Sequence, residues 1–418
     1  MEEMIPAPAA AVTPRPRAWT VFSSGSFRKL WVATTLSLFG DFFSYVALAW
    51  LVLQLTGSSL ALGAVLVVQA IPRAFLMLVG GALADRFSPR LMLIGSMGIR
   101  AIFVAPFAVL VLTGRAQMWE VYAISAVLGI VGAFFMPART SILPAVVADH
   151  ELEPANAVMN VTGQASVIVG PVLGGLVIAA YGSGWAFASD AAFFALGFLF
   201  VLWLPAARSV PSRAKHPDGG LGGQITAGFR YAWSDVGIRV LLIVIAVVDF
   251  AANGALGVGL PTLAHSRFGA GAAGLGILFG AWGVGATAGA LAAGFVPPPK
   301  QIGWLIVLLC VWLGLGIGGV GVIPSVVPAA LVMGLTGIAT GVVNTYGISW
   351  LQRRTDPAMQ GRVMSLVMLA SVGLTPVAYV VSGFLAQVNP TLLFVIGGGM
   401  ILLSGLGAAA SRSVRSLR

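Results

Sequence analysis

The sequence predicts an all-α membrane protein whose twelve transmembrane helices form two pseudo-symmetric six-helix bundles. Three observations predict this fold. The 418-residue chain is 58% hydrophobic and only 9% charged, whereas an average soluble protein carries roughly 25% charged residues. Twelve apolar stretches are each long enough to supply the about 20 residues that a membrane-spanning helix needs. A polar segment in the middle of the chain divides these stretches six and six.

The apolar stretches are separated by short connections and are interrupted by glycine and proline. Membrane helices tolerate both residues, because neighbouring helices satisfy the backbone groups that they leave unbonded. The predicted spans cover residues 30–54, 60–84, 91–113, 118–138, 156–180, 185–205, 238–263, 271–295, 302–323, 327–350, 362–387 and 391–411.

The polar segments define the domain organisation. The stretch before the first span is rich in Ala and Pro, which favours a disordered tail rather than a cleaved signal. The central segment begins with a Gly/Pro-rich linker, and Ile225, Phe229 and Trp233 then predict a short amphipathic helix on the membrane surface. The predicted parts are a tail (1–28), an N-terminal bundle (29–205), a linker with its helix (206–236), a C-terminal bundle (237–412) and a second tail (413–418).

Short matches between the two halves indicate an internal repeat. They occur in the same order at offsets of 205 to 213 residues. Two parallel six-helix repeats around an axis along the membrane normal predict a cavity between them at the membrane midplane. The matches are Asp41-Phe42 with Asp249-Phe250, Leu62-Gly63 with Leu275-Gly276, and Val158-Met159 with Val363-Met364.

The basic residues are distributed unevenly and predict the topology. Of 23 Lys and Arg residues, only Arg115 and Arg267 fall in the loops that the spans place outside. Basic residues concentrate on the cytoplasmic side of membrane proteins, so both termini are expected in the cytoplasm. The net charge of +10 then reflects topology and contact with anionic lipid rather than nucleic acid.

Two motifs carry a resemblance to a known family. The loop after the second span contains Gly81, Asp85, Arg86 and Arg90, at the spacing of the G-x-x-x-D-R/K-x-G-R/K-R/K signature. It resembles that signature of the major facilitator superfamily, with Ser88 in place of its glycine. The fifth span contains Gly170, Pro171, Gly174 and Gly175, and this G-P-x-x-G-G sequence is similar to the core of the superfamily's antiporter motif.

Further sequence stretches resemble one branch of that superfamily. Pro137-Ala-Arg139 and the Gly361-Arg362-Val363 opening of span eleven are similar to the branch that holds macrolide and siderophore exporters. The resemblance implies the major facilitator fold, a location in the inner membrane and export by drug:proton antiport. The equivalent signature loop of the second half, Gly294 to Lys300, lacks the Asp and Arg pattern.

The first signature predicts a conformational gate. Asp85 stands at the cytoplasmic end of a helix, where a carboxylate binds an arginine or a helix N-terminus. Arg139, at the cytoplasmic end of the fourth span, is one candidate partner. The alternative is a solvated carboxylate in a basic loop.

Three acids lie within apolar spans: Asp41, Asp190 and Asp249. A charged side chain inside the bilayer is costly and indicates function by default. Asp41 and Asp249 lie near mid-span at matching positions of the halves, and superfamily architecture places their helices at the cavity, so they are interpreted as proton or cation sites. The alternative is a structural ion pair with Arg73 or Arg100. Asp190, nearer the external end, is expected at a helix N-terminus or interface.

Polar residues within the spans are candidates for the wall of a substrate cavity. Each could instead bond a neighbouring helix. Trp282 would give an amphiphilic substrate an apolar wall. The candidates are Gln69, Asn160, Gln164, Asn253, Trp282 and Asn344.

Other chemistry is not indicated by the sequence. There is no Walker-type G-x-x-x-x-G-K-[ST], no spacing of metal ligands and no nucleophile motif in the 418 residues. We therefore expect no metal, no enzyme activity and no cofactor beyond the proton gradient. The partners expected are a small-molecule substrate and the lipid bilayer, for a monomeric protein without nucleic acid.

Three functions are compared. The sequence favours a proton-coupled exporter of small amphiphilic molecules such as drugs. The alternative keeps the fold and carries a specific natural substrate, such as a siderophore, a metabolite or a lysophospholipid, with inward transport also open. A membrane scaffold or sensor is disfavoured, because no non-spanning segment is long enough for an output domain.

Overall fold

The computed structural model describes residues 19–84, 88–205, 221–297 and 301–410, and only the backbone of 77–84 and 221–225. In this part of the chain the secondary structure is helical, without a strand. Twelve helices are long and apolar enough to cross a membrane. The predicted fold class is therefore confirmed.

The first half contains six spanning helices. The first of them begins at Gly25, inside the segment predicted as a tail. Ser24 caps this helix, since its hydroxyl accepts the backbone N–H of Phe27 at 3.3 Å. The helices are α1 (Gly25–Thr56), α2 (Ser59–Ala84), α3 (Pro89–Leu112), α4 (Met118–Val146), α5 (Leu152–Tyr181) and α6 (Ser183–Leu202).

The second half opens with the short helix α7 (Leu221–Ser234), which corresponds to the predicted amphipathic helix. Asp235 then caps the next helix by accepting the N–H groups of Gly237 and Ile238. The following helices are α8 (Val236–Gly254), which runs through a π-helical segment (Ala255–Gly259) into α9 (Leu260–Ser266), then α10 (Gly271–Phe295), α11 (Ile302–Val320), α12 (Val326–Arg354), α13 (Gln360–Gly373), α14 (Thr375–Val388) and α15 (Pro390–Ala410).

The predicted span 362–387 is confirmed within a candidate membrane span of residues 360–388, but it is not one uninterrupted helix. It consists of α13 and α14, which meet at Leu374. Pro376 stands in the first turn of α14. A proline has no backbone N–H to continue the hydrogen bonds of a preceding helix, but it fits the first turn of a new one.

The two halves use the same helix pairings. In the first half α3 and α1 both pack on α6, and α2 packs on α4; in the second half α11 and α8 both pack on α15, and α10 packs on α12. The halves meet chiefly through two pairs, α2 with α14 and α5 with α10. These two pairs occupy equivalent positions in the repeat, so the interface between the halves is itself pseudo-symmetric.

Glycine allows the closest of these helix contacts. A Cβ atom added at Gly285 would overlap the carbonyl group of Gly334, and one added at Gly337 would overlap that of Trp282. Small residues at four-residue spacing let helix backbones approach where the surrounding lipid gives no hydrophobic driving force. The α10–α12 pair is built in this way.

Candidate substrate cavity

A cavity of about 630 Å³ lies between the two halves. Its wall comes from α1, α2, α3 and α4 of the first half and from α8, α13 and α14 of the second. Its polar and charged lining consists of Asp41, Ser44, Tyr45, Gln69, Arg73, Arg100, Asp249, Asn253, Ser371, Thr375 and Tyr379.

The cavity is closed at the far end, which we define as the end of the bundle opposite the start of α1 and the end of α15. Two glycine crossings close it. A Cβ added at Gly63 of α2 would lie 2.6 Å from the carbonyl oxygen of Tyr379, and one added at Gly276 of α10 would lie 2.5 Å from that of Pro171. Gly63 and Gly276 are the matched glycines of the internal repeat, so the two crossings are pseudo-symmetric copies of each other.

Hydrogen bonds reinforce the closed end. The Thr262 hydroxyl donates to Ser59 at 3.0 Å, and the Ser58 hydroxyl donates to Gln387 at 3.0 Å. Nearer the middle of the bundle, the Gln164 side chain donates to Thr287 at 2.8 Å. Each of these hydrogen bonds between the halves lies at the far end or near the middle of the bundle.

A charged cluster lies where the first half borders the cavity. Arg100 of α3 donates through Nη1 to Asp41 of α1 at 2.8 Å, with side-chain exposures of 4% and 38%. The guanidinium carbon lies 4.8 Å from the ring centroid of Phe194 and 5.7 Å from that of Phe135. Aromatic faces attract cations, so Arg100 is held by a carboxylate and two rings.

A second carboxylate adjoins this cluster. Asp190 of α6 is 0% exposed and accepts the hydroxyl of Ser44, and it interacts electrostatically with both Asp41 and Arg100. The expectation that Asp190 lies at a helix terminus or an interface was therefore wrong. Gly40 leaves the space for it, since a Cβ at Gly40 would lie 2.5 Å from the Asp190 carboxylate. The sequence shows the acid, but not that α1 and α3 pack over it.

Two polar atoms of this cluster lack a partner. The Nε of Arg100 and the Oδ1 of Asp190 are buried without a hydrogen bond. An unpaired buried polar atom is costly, and the cost rises when the group is charged. The unpaired donor and the unpaired acceptor belong to one cluster, which leaves room for a second arrangement of the same groups.

Asp249 of α8 faces the cavity from the second half. Ser371 lines the same wall, and Asn253 lies one helical turn further along it. The ion pairs among the described residues are Asp41–Arg100 and Asp235–Arg354, so Asp249 has none there. Of the two matched acids, one is thus paired with arginine and the other is not.

Arg73 of α2 is the other cavity arginine. It lies in the same wall and interacts electrostatically with Tyr379, but no carboxylate of the described residues pairs with it. The sequence left Arg73 and Arg100 as equal candidates for an ion pair with the intramembrane acids. The structure places Arg100 in that role for Asp41.

The predicted polar wall is reproduced only in part. Gln69 and Asn253 line the large cavity, and Trp282 lines a neighbouring apolar cavity of about 180 Å³. Gln164 instead bonds Thr287 across the halves. Asn160 and Asn344 are exposed and line neither cavity. A polar residue within an apolar span reveals neither the helix face nor the depth at which it lies.

Two residues of the predicted gate bind backbone groups of the first half. Arg90 donates to the carbonyl of Leu202 at 2.7 Å, and Arg139 donates to that of Met159 at 2.9 Å. Asp85 and Arg86 lie outside the described residues, and Gly81 lies in the part of α2 described by backbone alone. The gate therefore stays a prediction.

The antiporter motif lies at a junction of three helices. A Cβ at Gly170 would lie 2.7 Å from the side chain of Phe42 in α1, and one at Gly174 would lie 3.4 Å from Phe43. Gly175 faces the opposite way and meets Gly276 of α10, where an added Cβ would lie 3.1 Å from the facing Cα. The motif thus joins α5 to a helix of its own half and to a helix of the other half.

In the described part of the chain, twelve helices long enough to span a membrane form two pseudo-symmetric halves with a charged cavity between them, which is the architecture of a transporter of the major facilitator superfamily. Residues 16–417 match the profile of a family described as "Transmembrane secretion effector", and the chain belongs to this family of the superfamily. Its members are multi-pass membrane transporters of small molecules rather than enzymes.

The comparisons with individual proteins agree with this assignment. The chain is 26% identical over 331 residues to the enterobactin exporter EntS of Escherichia coli O81 (strain ED1a), which covers 79% of this chain and 78% of the exporter. Among solved structures, a mutant of the nucleoside transporter NupG superimposes with a TM-score of 0.76 at 15% identity, over 92% of this chain and 99% of NupG. A bacterial homologue of the human lysosomal transporter Spinster, in an inward-facing and unoccupied conformation, gives 0.65 at 15% identity, over 95% and 99%. At these identities the two structures support the fold alone.

Proposed function

We propose that the protein is a proton-coupled exporter of small amphiphilic molecules, drugs among them, that works by alternating access. The observation that carries the proposal is that both Asp41 and Asp249 belong to the wall of the large cavity between the halves. The halves would rock about this cavity, so that it opens to one side of the membrane at a time.

The orientation follows from the basic residues. With both termini in the cytoplasm of a bacterial cell, the far end faces outward. The two glycine crossings then close the outer side, and the cavity is accessible from the cytoplasm, where an exporter binds its substrate. We place the protein in the inner membrane as a monomer, since the cavity is complete within one chain.

Asp41 supplies one coupling step. A proton bound by Asp41 removes the charge that holds Arg100. The guanidinium has a second carboxylate nearby in Asp190, and its unpaired Nε is matched by the unpaired Oδ1 of that residue. Arg100 therefore passes from Asp41 to Asp190 on protonation. Because these groups lie on α1, α3 and α6, the exchange shifts the helices that border the cavity.

Asp249 supplies the other step. It is on the cavity wall without an ion pair in the described part of the chain. A proton and the substrate then compete for the same carboxylate, which is the requirement for antiport.

Opening of the far end separates α2 from α14 and α5 from α10, and the antiporter motif lies on the contact between α5 and α10.

Transport by the purified protein in liposomes tests the proposal. With an imposed pH gradient and a panel of dyes and antibiotics, we expect gradient-dependent movement that a protonophore abolishes. Asp41→Asn and Asp249→Asn should each abolish coupled movement, while Asp149→Asn should not, because Asp149 is an exposed acid in the short 3-10 helix between α4 and α5. Intact gradient-driven transport by a folded double variant of Asp41 and Asp249 would reject the coupling.

The similarity to an enterobactin exporter favours one alternative cargo. A specific natural substrate, such as a siderophore, would use the same cavity and the same coupling. Siderophore secretion, drug susceptibility and lipid uptake by a deletion strain separate this alternative from broad drug export. A defect in siderophore secretion without any change in drug susceptibility would show that the cargo is a siderophore rather than a range of drugs.

A further inference from the structure

The cavity contains an unmatched pair of charges. Its wall holds four charged side chains: Asp41, Arg73, Arg100 and Asp249. Asp41 and Arg100 neutralise each other at 2.8 Å. This leaves one cation on the first half, Arg73, and one anion on the second half, Asp249, neither of which has an ion pair among the described residues.

Both unmatched charges can be reached by a ligand. They line the cavity itself rather than the interior of a helix bundle. A charge held within the bilayer is costly without a partner, and the guanidinium of Arg73 presents a planar fork that fits carboxylates, phosphates and sulfonates. The Asp249 carboxylate lines the cavity beside Ser371 and has acceptor positions for a cationic group.

One part of the wall is aromatic and suits an apolar group. The aromatic side chains of Phe42 and Tyr45 line both the large cavity and the smaller one, where Phe279 and Trp282 join them. Tyr45 and Phe279 are in edge contact, with ring centroids 5.4 Å apart. Aromatic walls accommodate an apolar body, and their faces also attract an ammonium group.

We propose that the substrate is a zwitterionic amphiphile, whose anionic group binds Arg73 and whose cationic group binds Asp249. A zwitterion matches both charges at once, whereas a simple cation or a simple anion leaves one of them unmatched. Its two charges bridge the two halves, because Arg73 and Asp249 belong to different halves. The inference rests on the proposed function in taking this cavity as the transport site, and it makes the substrate's cationic group the competitor of the proton at Asp249.

Binding of three ligands with the same tail tests the inference. The probes are decyl sulfobetaine (zwitterionic), decyl sulfonate (anionic) and decyltrimethylammonium (cationic), titrated below micelle formation into the full chain in a maltoside micelle. The affinity of each probe is corrected for its partitioning into protein-free maltoside micelles, so ratios between probes and between variants both report the cavity. We expect the wild type to bind the sulfobetaine about tenfold more tightly than either singly charged probe, which corresponds to about 1.4 kcal/mol.

Two variants test the contributions of Arg73 and Asp249 to binding separately. Arg73→Gln should lower affinity for the sulfobetaine and the sulfonate about tenfold and leave trimethylammonium binding unchanged or tighter. Asp249→Asn should lower affinity for the sulfobetaine and for decyltrimethylammonium about tenfold and leave sulfonate binding unchanged or tighter. Arg115→Gln removes an equal charge on an exposed loop remote from the cavity and should change none of the three affinities. Arg73→Lys should recover part of the anion binding.

Several outcomes would overturn the inference. One is a wild type that binds the sulfobetaine no more tightly than the cation. Another is an Arg73→Gln protein with unchanged affinity for both anionic head groups. If Arg73→Gln does not fold, the wild-type ranking and Arg73→Lys still decide the question. These titrations need no pH gradient, so correct binding without gradient-driven movement in liposomes would reject the proposed function and leave the inference standing.

Discussion

A single methyl group at the crossing of α2 with α14 should open the far end of the protein. In Gly63→Ala the new Cβ would lie 2.6 Å from the Tyr379 carbonyl oxygen, and ordinary contact begins at 3.4 Å. The obstacle is backbone, which cannot rotate away as a side chain does. The two helices must therefore part by about 0.8 Å, or the far end must open.

The expected size follows from the cost of overpacking. Forcing an extra methyl group into a packed contact costs about 1–3 kcal/mol. The whole cost falls on the state that is closed at the far end, because the crossing is absent once the halves separate there. A difference of this size changes the ratio of closed to open molecules by about 5–150-fold. Gly276→Ala, at the pseudo-symmetric crossing, should act in the same direction.

Cysteine labelling measures the opening. Cys310 is the only cysteine of the chain and is buried, so Cys310→Ala gives a background without a reactive thiol. A single cysteine at Ser59, which is 4% exposed at the closed end, should react slowly with a maleimide. Adding Gly63→Ala should raise the rate in proportion to the open population.

The control uses the same substitution where there is space. A Cβ at Gly319 or at Gly399 meets no atom within 4 Å, so alanine there should leave the labelling rate unchanged. A folded Gly63→Ala protein with the labelling rate of its parent would refute the reasoning. An equal increase of the labelling rate in Gly319→Ala would also refute it.

The remaining predictions concern the charged cluster and a helix cap. Ser44→Ala removes the hydroxyl that bonds the buried Asp190 and should lower the unfolding free energy by about 1.5–3 kcal/mol; a thermal unfolding midpoint equal to that of the wild type would contradict this. Arg100→Gln leaves the Asp41 carboxylate unpaired; because that side chain is 38% exposed, the loss of stability should be smaller than the roughly 3–5 kcal/mol of a fully buried pair, and a double variant with Asp41→Asn should recover part of it in the same unfolding assay. Asp235→Ala removes the cap of α8 and should cost about 1 kcal/mol with liposome transport retained; loss of transport in folded protein would assign this surface residue a role beyond capping.

The sequence by itself determined the number of spans and the division into halves. Hydropathy is read along the chain, and a bilayer imposes the same length requirement on every span. The repeat in Leu62-Gly63 and Leu275-Gly276 also proved informative, because those glycines form the two equivalent crossings that close the far end. What the sequence did not reveal is that each of them meets a helix of the other half.

The break in the eleventh span shows the limit of reading hydropathy alone. Residues 360–388 are apolar enough to form one candidate span, and the interruption at Leu374 depends on a missing backbone donor rather than on polarity. Pro376 was visible, but membrane helices often pass through a proline without ending. Only the backbone itself decides between a kink and a break.

The tertiary structure alone decided which charges are paired. Asp41 and Arg100 are 59 residues apart in the chain, and nothing in the sequence distinguished Arg100 from Arg73 as the partner. The tertiary structure also shows that Asp190 belongs to the buried cluster and that Asn160 and Asn344 line neither cavity. The physical reason is that partitioning into a bilayer depends on the composition of each helix, whereas an ion pair depends on which faces of separate helices meet. Those faces are fixed by packing between residues far apart in the chain.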